Sequence, residues 1–299
     1  MDDDYKNLEI YKYFKESKLH TSKGNTFFPV YEELFSRYRG KKITFVEIGV
    51  KWGGSLFMWK NYFGSSARVI GVDFDSDTKK LEKYGFEIFI GDQSSKKFWD
   101  SFFSKVGKID ILLDDGGHTN ENQILTLNNT VNNINDDGLI LIEDTLSSYN
   151  KKFFNPSRYS FINYSKFLVD DINSRVKKIS KYTGLSKINS LKDRIYSIKY
   201  FTNFVAFYVN RSKCVDLVHQ MNRDLTKDYE KIIDDNYSNP RWKSEIYKNN
   251  FVNLLIKIKS KSPKIEKIFN FLKLRNNLNR IIKFLQIIKI NQKLKKFFK

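Results

Sequence analysis

Five short apolar runs alternate with segments of helical spacing through the first half of the chain. Two more runs then follow too closely for a helix to stand between them. The five runs are Ile43 to Ile48, Arg68 to Val72, Phe86 to Ile90, Ile109 to Leu113 and Gly138 to Ile142, bounded by Gly, Asp or Asn. Short, nearly continuous apolar runs of this kind belong to strands buried on both faces. Between them, Gly54 to Phe63, Asp77 to Tyr84, Lys96 to Lys105 and Glu121 to Ile134 have the lengths of crossover helices, which parallel strands require. Asp193 to Tyr200 and Phe204 to Asn210 can be joined only by a hairpin. The expected fold is therefore α/β: a doubly wound, mostly parallel, seven-stranded sheet that ends in an antiparallel hairpin.

The chain has 299 residues and a formal net charge of +19, a value that suggests nucleic acid until it is located along the sequence. From Phe251 to Lys299 there are 14 Lys and Arg against one acidic residue, Glu266. Most of the excess charge thus sits in one tail, and the rest of the chain is ordinary for a soluble enzyme. Within the tail, Ile265, Ile268, Phe269 and Leu272, then Leu278, Ile281, Ile282, Leu285 and Ile288, recur at helical spacing with basic residues between them. Three readings stay open for these basic amphipathic helices: packing on the catalytic domain or a second subunit, peripheral docking on an anionic membrane, and RNA binding. The division this suggests is a helical segment at 1–40 contributing to the site, a catalytic domain at 41–212, and a helical extension at 213–299 with its basic tail at about 251–299. A single cysteine, Cys214, an acidic start without a secretory pattern and no apolar run of spanning length point to a cytoplasmic protein, peripheral to the membrane if it touches one.

Acids stand where the strands end. Glu47 closes the first strand, and Gly49, Gly53 and Gly54 in the following turn let backbone approach a nucleotide while Ser55 opens the next helix. Lys51 occupies the place of the middle glycine of a dinucleotide fingerprint, which counts against a nicotinamide cofactor. Asp73 is placed to accept the hydroxyls of a ribose, and Asp92 with Gln93 to address a base. Asp-rich and Gly-rich turns also stop strands in any protein, but three successive acidic strand ends are harder to dismiss. Further on, Asp114, Asp115 and His118 follow the fourth strand, and Glu143 and Asp144 follow the fifth. Carboxylates on adjacent strands, about 4.8 Å apart, could converge on one ion. Asp114 has three open roles: contacting cofactor, supporting the loop or capping the strand. With only three His and one Cys, unclustered, a zinc site is not expected.

Thr21-Ser22-Lys23-Gly24, Glu47-Ile48-Gly49-Val50 with Gly53-Gly54-Ser55-Leu56, Trp59 to Phe63, Gly71-Val72-Asp73, Gly91-Asp92-Gln93, Asp114-Asp115-Gly116-Gly117-His118 and Glu143-Asp144-Thr145 with Ser148-Tyr149 occur in this order. Together they resemble the metal-dependent sugar O-methyltransferases of macrolide tailoring and surface-polysaccharide modification, within the class I methyltransferase superfamily. The likeness covers roughly the first half of the chain. Gly117 stands where that family more usually has Ser, and beyond Tyr149 the match is poor.

The resemblance implies that S-adenosylmethionine and Mg²⁺ are cofactors, with Glu47, Gly49, Gly53, Ser55, Asp73, Asp92, Gln93 and Asp114 at the first. It implies Asp115, Glu143 and Asp144 as metal ligands and His118 as general base. The implied acceptor is a sugar or nucleotide sugar, such as a heptose or deoxysugar of a bacterial capsule or surface polysaccharide. The chemistry is self-consistent: a sugar hydroxyl is a weak acid, and displacement at a sulfonium needs it aligned and deprotonated. A metal-dependent hydroxylase, an O-methyltransferase acting on a non-sugar molecule and an RNA-binding protein are the alternatives. Tyr149 could line the acceptor pocket or pack, Tyr159 to Phe167 reads as a helix covering the site, and homo-oligomerisation is left open.

Overall fold

The computed structural model describes residues 3–151, 158–176, 190–218, 292 and 294–298. The chain divides into two compact units, Met1–Leu217 with Ile290–Lys299 and Val218–Lys289, and all of the second except Val218 lies outside the described residues. The tail helices expected between Ile265 and Ile288 lie there as well. No helix among the described residues is long and apolar enough to cross a membrane.

Strands β1 (Thr44–Ile48), β2 (Arg68–Asp73), β3 (Glu87–Ile90), β4 (Ile109–Asp114) and β5 (Ile134–Ile142) form the parallel part of one sheet. The hairpin of β6 (Ile195–Phe201) and β7 (Phe204–Val209) completes it, with β7 antiparallel to β5. The spatial order is β3-β2-β1-β4-β5-β7-β6, so the chain reverses its winding beside β1, where an open α/β sheet leaves a crevice at its carboxyl edge.

Side chains alternate between two cores because successive strand residues face opposite ways. Phe45, Ile111, Leu113, Leu139, Leu141, Phe204 and Ala206 face helices α1 (Glu9–Lys15), α2 (Phe27–Phe35) and α3 (Gly54–Phe63). Val46, Ile48, Leu112, Ile140, Ile142, Val205 and Phe207 face α4 (Lys96–Val106), α5 (Asn120–Thr130) and α6 (Phe161–Asn173). Ser95, Thr119 and Ser160 accept backbone N–H bonds at the starts of α4, α5 and α6, which fixes where those helices begin.

Three expectations need correction. Ser76–Tyr84 forms a 3-10 helix, consistent with its two buried residues, Thr78 and Leu81, lying three apart. The helix read as Glu121 to Ile134 ends at Thr130, passes through a 3-10 turn, and gives way to β5 at Ile134, whose partner is Ile109. Leu127, Val131 and Ile134 keep helical spacing because all three enter the same core. The aromatic stretch around Tyr159 to Phe167 begins α6, and its buried Phe161 and Tyr164 enter the core on the α4 side instead of covering a ligand site. Leu294 and Phe297 join that core, with the Phe297 ring edge-on to Tyr164 at 6.0 Å.

Candidate active site

The loops beyond β1, β2, β3 and β4 surround a cleft of about 1180 Å³, closed on one side by His20, Thr21 and Ser22 of the N-terminal segment. Close backbone approach builds it. Gly49 has φ +86°, and a Cβ there would lie 2.2 Å from the Asp115 carbonyl oxygen, so only glycine lets the β1 turn touch the β4 loop. At Gly54 a Cβ would lie 2.4 Å from the carbonyl oxygens of Leu19 and His20, which brings the N-terminal segment against the start of α3.

Gly49, Ser55, Asp73, Asp92, Gln93, Asp115 and His118 line this one cleft. Asp73 accepts the backbone N–H of Lys51 at 3.0 Å and of Asp75 at 2.9 Å, so its carboxylate is held in place with lone pairs to spare. Gln93 accepts from Gly117 N–H at 2.8 Å and donates to Asp114 at 2.9 and 3.0 Å, tying the loop that carries His118 to β3. A Cβ at Gly117 would fall 2.6 Å from Asn122 Oδ1, so the loop closes on Asn122 and leaves little room for a side chain.

Glu47, Gly53 and Asp114 are not part of the cleft lining. Strand alternation is the reason. Glu47 shares the parity of Phe45 and points into the α3 side, where it accepts from Ser55 Oγ at 2.7 Å and Trp59 Nε1 at 3.1 Å. Asp114 shares the parity of Leu112 and points the other way, buried against Gln93 and the Gly116 N–H. Of the three roles open to Asp114, support of the loop is the one its contacts serve. Gly53 takes φ +83° as the residue preceding α3, with Leu81 packed over it.

Burial pushes the Glu47 carboxyl up to about 7, against the opposing pull of the Lys23 ammonium. An acid whose folded pKa is raised binds more protons folded than unfolded, so its contribution to stability falls as pH rises from about 4.3 toward the folded value. Glu47→Gln imitates the protonated acid and can donate to Ser55. The variant is expected to unfold at higher temperature than the parent above pH 7, with the gap closing below about pH 5. Thermal unfolding followed across that range checks it, and a gap independent of pH would place the cause elsewhere.

Asp115 and His118 of the cleft lining and Asp144, which lies outside that lining, each bring one ligand atom within 4.8 Å of the others. His118 Nε2 lies 3.4 Å from Asp144 Oδ2, and the ring is 27% exposed while its Nδ1 is buried without a partner. Of the two ring nitrogens, Nε2 is the one that faces a carboxylate. The two carboxylates of this group offer the oxygen donors that suit a hard divalent cation, whereas an imidazole suits softer metals and is here the group that could take a proton. Glu143, expected among the ligands, is not in this group. It shares the parity of Leu139 and Leu141, and accepts from Tyr31 at 2.6 Å and from Lys23 at 3.0 and 3.1 Å.

Lys23 and Tyr31 are two site residues to which sequence reasoning assigned no role. The Lys23 ammonium, 2% exposed, bridges Asp115 at 2.5 Å and Glu143. Burial works against its charge, but Asp115 and then Glu143 outweigh burial and hold it well above the usual lysine range. Burial drives the Glu143 carboxyl upward, with the Lys23 ammonium as the main opposing pull. The only local signal was the small-residue setting of Lys23 in Thr21-Ser22-Lys23-Gly24, because its partners are 92 and 120 positions away.

Backbone strain gathers at the same place. Among the described residues five non-glycine residues have positive φ, and four of them, Lys51, His118, Asp144 and Asn203, belong to the loops around the cleft and the three-residue cluster. Such residues persist where surrounding structure over-determines them, most often at functional sites.

No family model matches the chain. Over 159 residues, 50% of its length, the chain is 30% identical to the 8-demethyl-8-alpha-L-rhamnosyl tetracenomycin-C 2'-O-methyltransferase of Streptomyces olivaceus, covering 42% of that protein. It is 31% identical to the demethylmacrocin O-methyltransferase of Streptomyces fradiae, over 41% of the chain and 32% of that protein. Against the mycinamicin VI 2''-O-methyltransferase of Micromonospora griseorubida the values are 32%, 41% and 32%. The chain thus spans less than half the length of these curated relatives.

Among solved structures, the MycE methyltransferase from the mycinamycin biosynthetic pathway, in complex with Mg and SAH, superposes with a TM-score of 0.59. Identity is 21%, over 77% of this chain and 58% of that one. Its complex with Mg, SAH and mycinamycin VI gives a TM-score of 0.57 at 23% identity, over 75% and 57%. The relatives are O-methyltransferases, several named for sugar-bearing substrates, and the fold is that of the class I methyltransferases.

Proposed function

We propose that this chain transfers a methyl group from S-adenosylmethionine to a sugar hydroxyl with the help of a divalent cation, Mg²⁺ by preference. The observation that carries the reading is the meeting of Asp115, His118 and Asp144 beside a cleft lined by Asp73 and Asp92, at or just beyond the ends of β2 and β3. The O-methyltransferase relatives support the reaction class. In this reading Asp73 receives the ribose hydroxyls, and Trp52 and Phe74, 50% and 80% exposed at the cleft wall, offer rings to the cofactor.

Asp115 and Asp144 would hold the cation, which when bound lowers the pKa of an adjacent hydroxyl and fixes its direction. His118 takes the hydroxyl proton at Nε2, and Asp144, 3.4 Å away, stabilises the imidazolium that results. Lys23 keeps Asp115 and Glu143 from repelling one another and supports the wall behind them. The acceptor we favour is a nucleotide-activated or glycan-linked sugar, with capsule or surface polysaccharide as its setting.

The cofactor half of this reading is tested by titrating the protein with S-adenosylhomocysteine in a calorimeter. Binding by the parent is expected, and Asp73→Ala should weaken it about 10- to 100-fold, through loss of charge-assisted bonds made alike in ground and transition states. A parent protein that binds none would contradict the proposal.

A further inference from the structure

We propose that Asn203, at the turn of the β6–β7 hairpin, is a positioning residue that aims Asp144 into the candidate metal cluster. The inference rests on the proposed function above, because Asp144 matters to it as a ligand. Asp144 leaves β5 in a left-handed conformation, φ 56°, which turns its side chain away from the path Glu143 follows. Left to itself an aspartate at that φ would have several side-chain orientations open to it. Asn203, also left-handed at φ 70°, removes that freedom.

The contacts interlock. Asn203 Nδ2 donates to Asp144 Oδ1 at 2.6 Å, Asn203 Oδ1 accepts the Leu146 N–H at 2.9 Å, and the Asn203 carbonyl accepts the Thr145 N–H at 3.2 Å. One amide side chain thus holds the carboxylate and the backbone two residues beyond it. With Oδ1 engaged, Oδ2 is the oxygen directed at His118. The hairpin is tied to β5 along its length through β7, from Gly138 and Val209 to Ile142 and Val205, so its turn is a rigid support. Partners of this kind set the orientation of metal ligands, and their loss commonly lowers metal affinity 10- to 100-fold.

Asn203→Gly is the discriminating variant, because glycine takes φ 70° without strain and keeps the carbonyl contact to Thr145 while deleting both side-chain bonds. Manganese affinity of the full chain, read by electron paramagnetic resonance, is expected to fall about 10- to 100-fold. S-adenosylhomocysteine affinity should stay within about twofold of the parent, since no cofactor-side residue touches Asn203 among the contacts described. Unchanged manganese affinity in the variant, with binding present in the parent, would overturn this inference alone. Equal losses of manganese and S-adenosylhomocysteine affinity would also overturn it, by making Asn203 a general prop of the fold. A parent that binds no manganese would bring down the metal reading and this inference together.

Discussion

Alanine at position 118 is expected to lower turnover about 10²- to 10⁴-fold while leaving S-adenosylhomocysteine affinity within about twofold of the parent. The split follows from position. His118 lines the cleft, and its Nε2 lies 3.4 Å from Oδ2 of Asp144, the carboxylate proposed to hold the cation. The cofactor contacts assigned to Asp73 and the Gly49 turn are on other strands and make no bond to the imidazole. An imidazole that removes a proton from the acceptor contributes in the transition state and little to cofactor binding, so the loss should fall on kcat. Saturating acceptor with near-parent turnover in the variant would remove His118 from the mechanism.

Metal removal should have an effect of the same order or larger. Exhaustive chelation is expected to abolish methyl transfer, and Mg²⁺ to restore it, since without the cation His118 must ionise an ordinary sugar hydroxyl unaided. Substitution should reproduce this in part. Asp144→Asn is the cleaner variant, because the partners of Asp144 are His118 and Asn203, whereas Asp115→Asn also strips Lys23 of a buried ion-pair partner. Both should raise the Mg²⁺ concentration for half-maximal activity at least about 10-fold, but only Asp115→Asn should in addition lower thermal stability. Full activity in the chelated protein would end the metal reading even with methyl transfer intact.

The topology was legible from runs of buried strand residues and from the short gap before Phe204, since both are local properties of the sequence. Boundaries failed where one core receives residues from two elements, as at Leu127, Val131 and Ile134, whose spacing suits a helix although a strand begins at Ile134. At the site, position along the chain told which loops meet, but strand alternation decided which acids face the cleft. Asp114 and Asp115 are neighbours in sequence and point to opposite faces, as do Glu143 and Asp144 once the left-handed turn at Asp144 is included. Lys23, Tyr31 and Asn203 escaped assignment because each reaches its acid across a separation that no local pattern encodes.

Methyl transfer from a sulfonium to a sugar oxygen is read from the mass of the product. The full chain would be incubated with S-adenosylmethionine, Mg²⁺ and a panel of nucleotide sugars and glycosides. One added methyl group is expected on a sugar hydroxyl of at least one acceptor, absent when chelator is in excess. A methyl group transferred with chelator in excess, or an added oxygen atom in place of a methyl group, would contradict it.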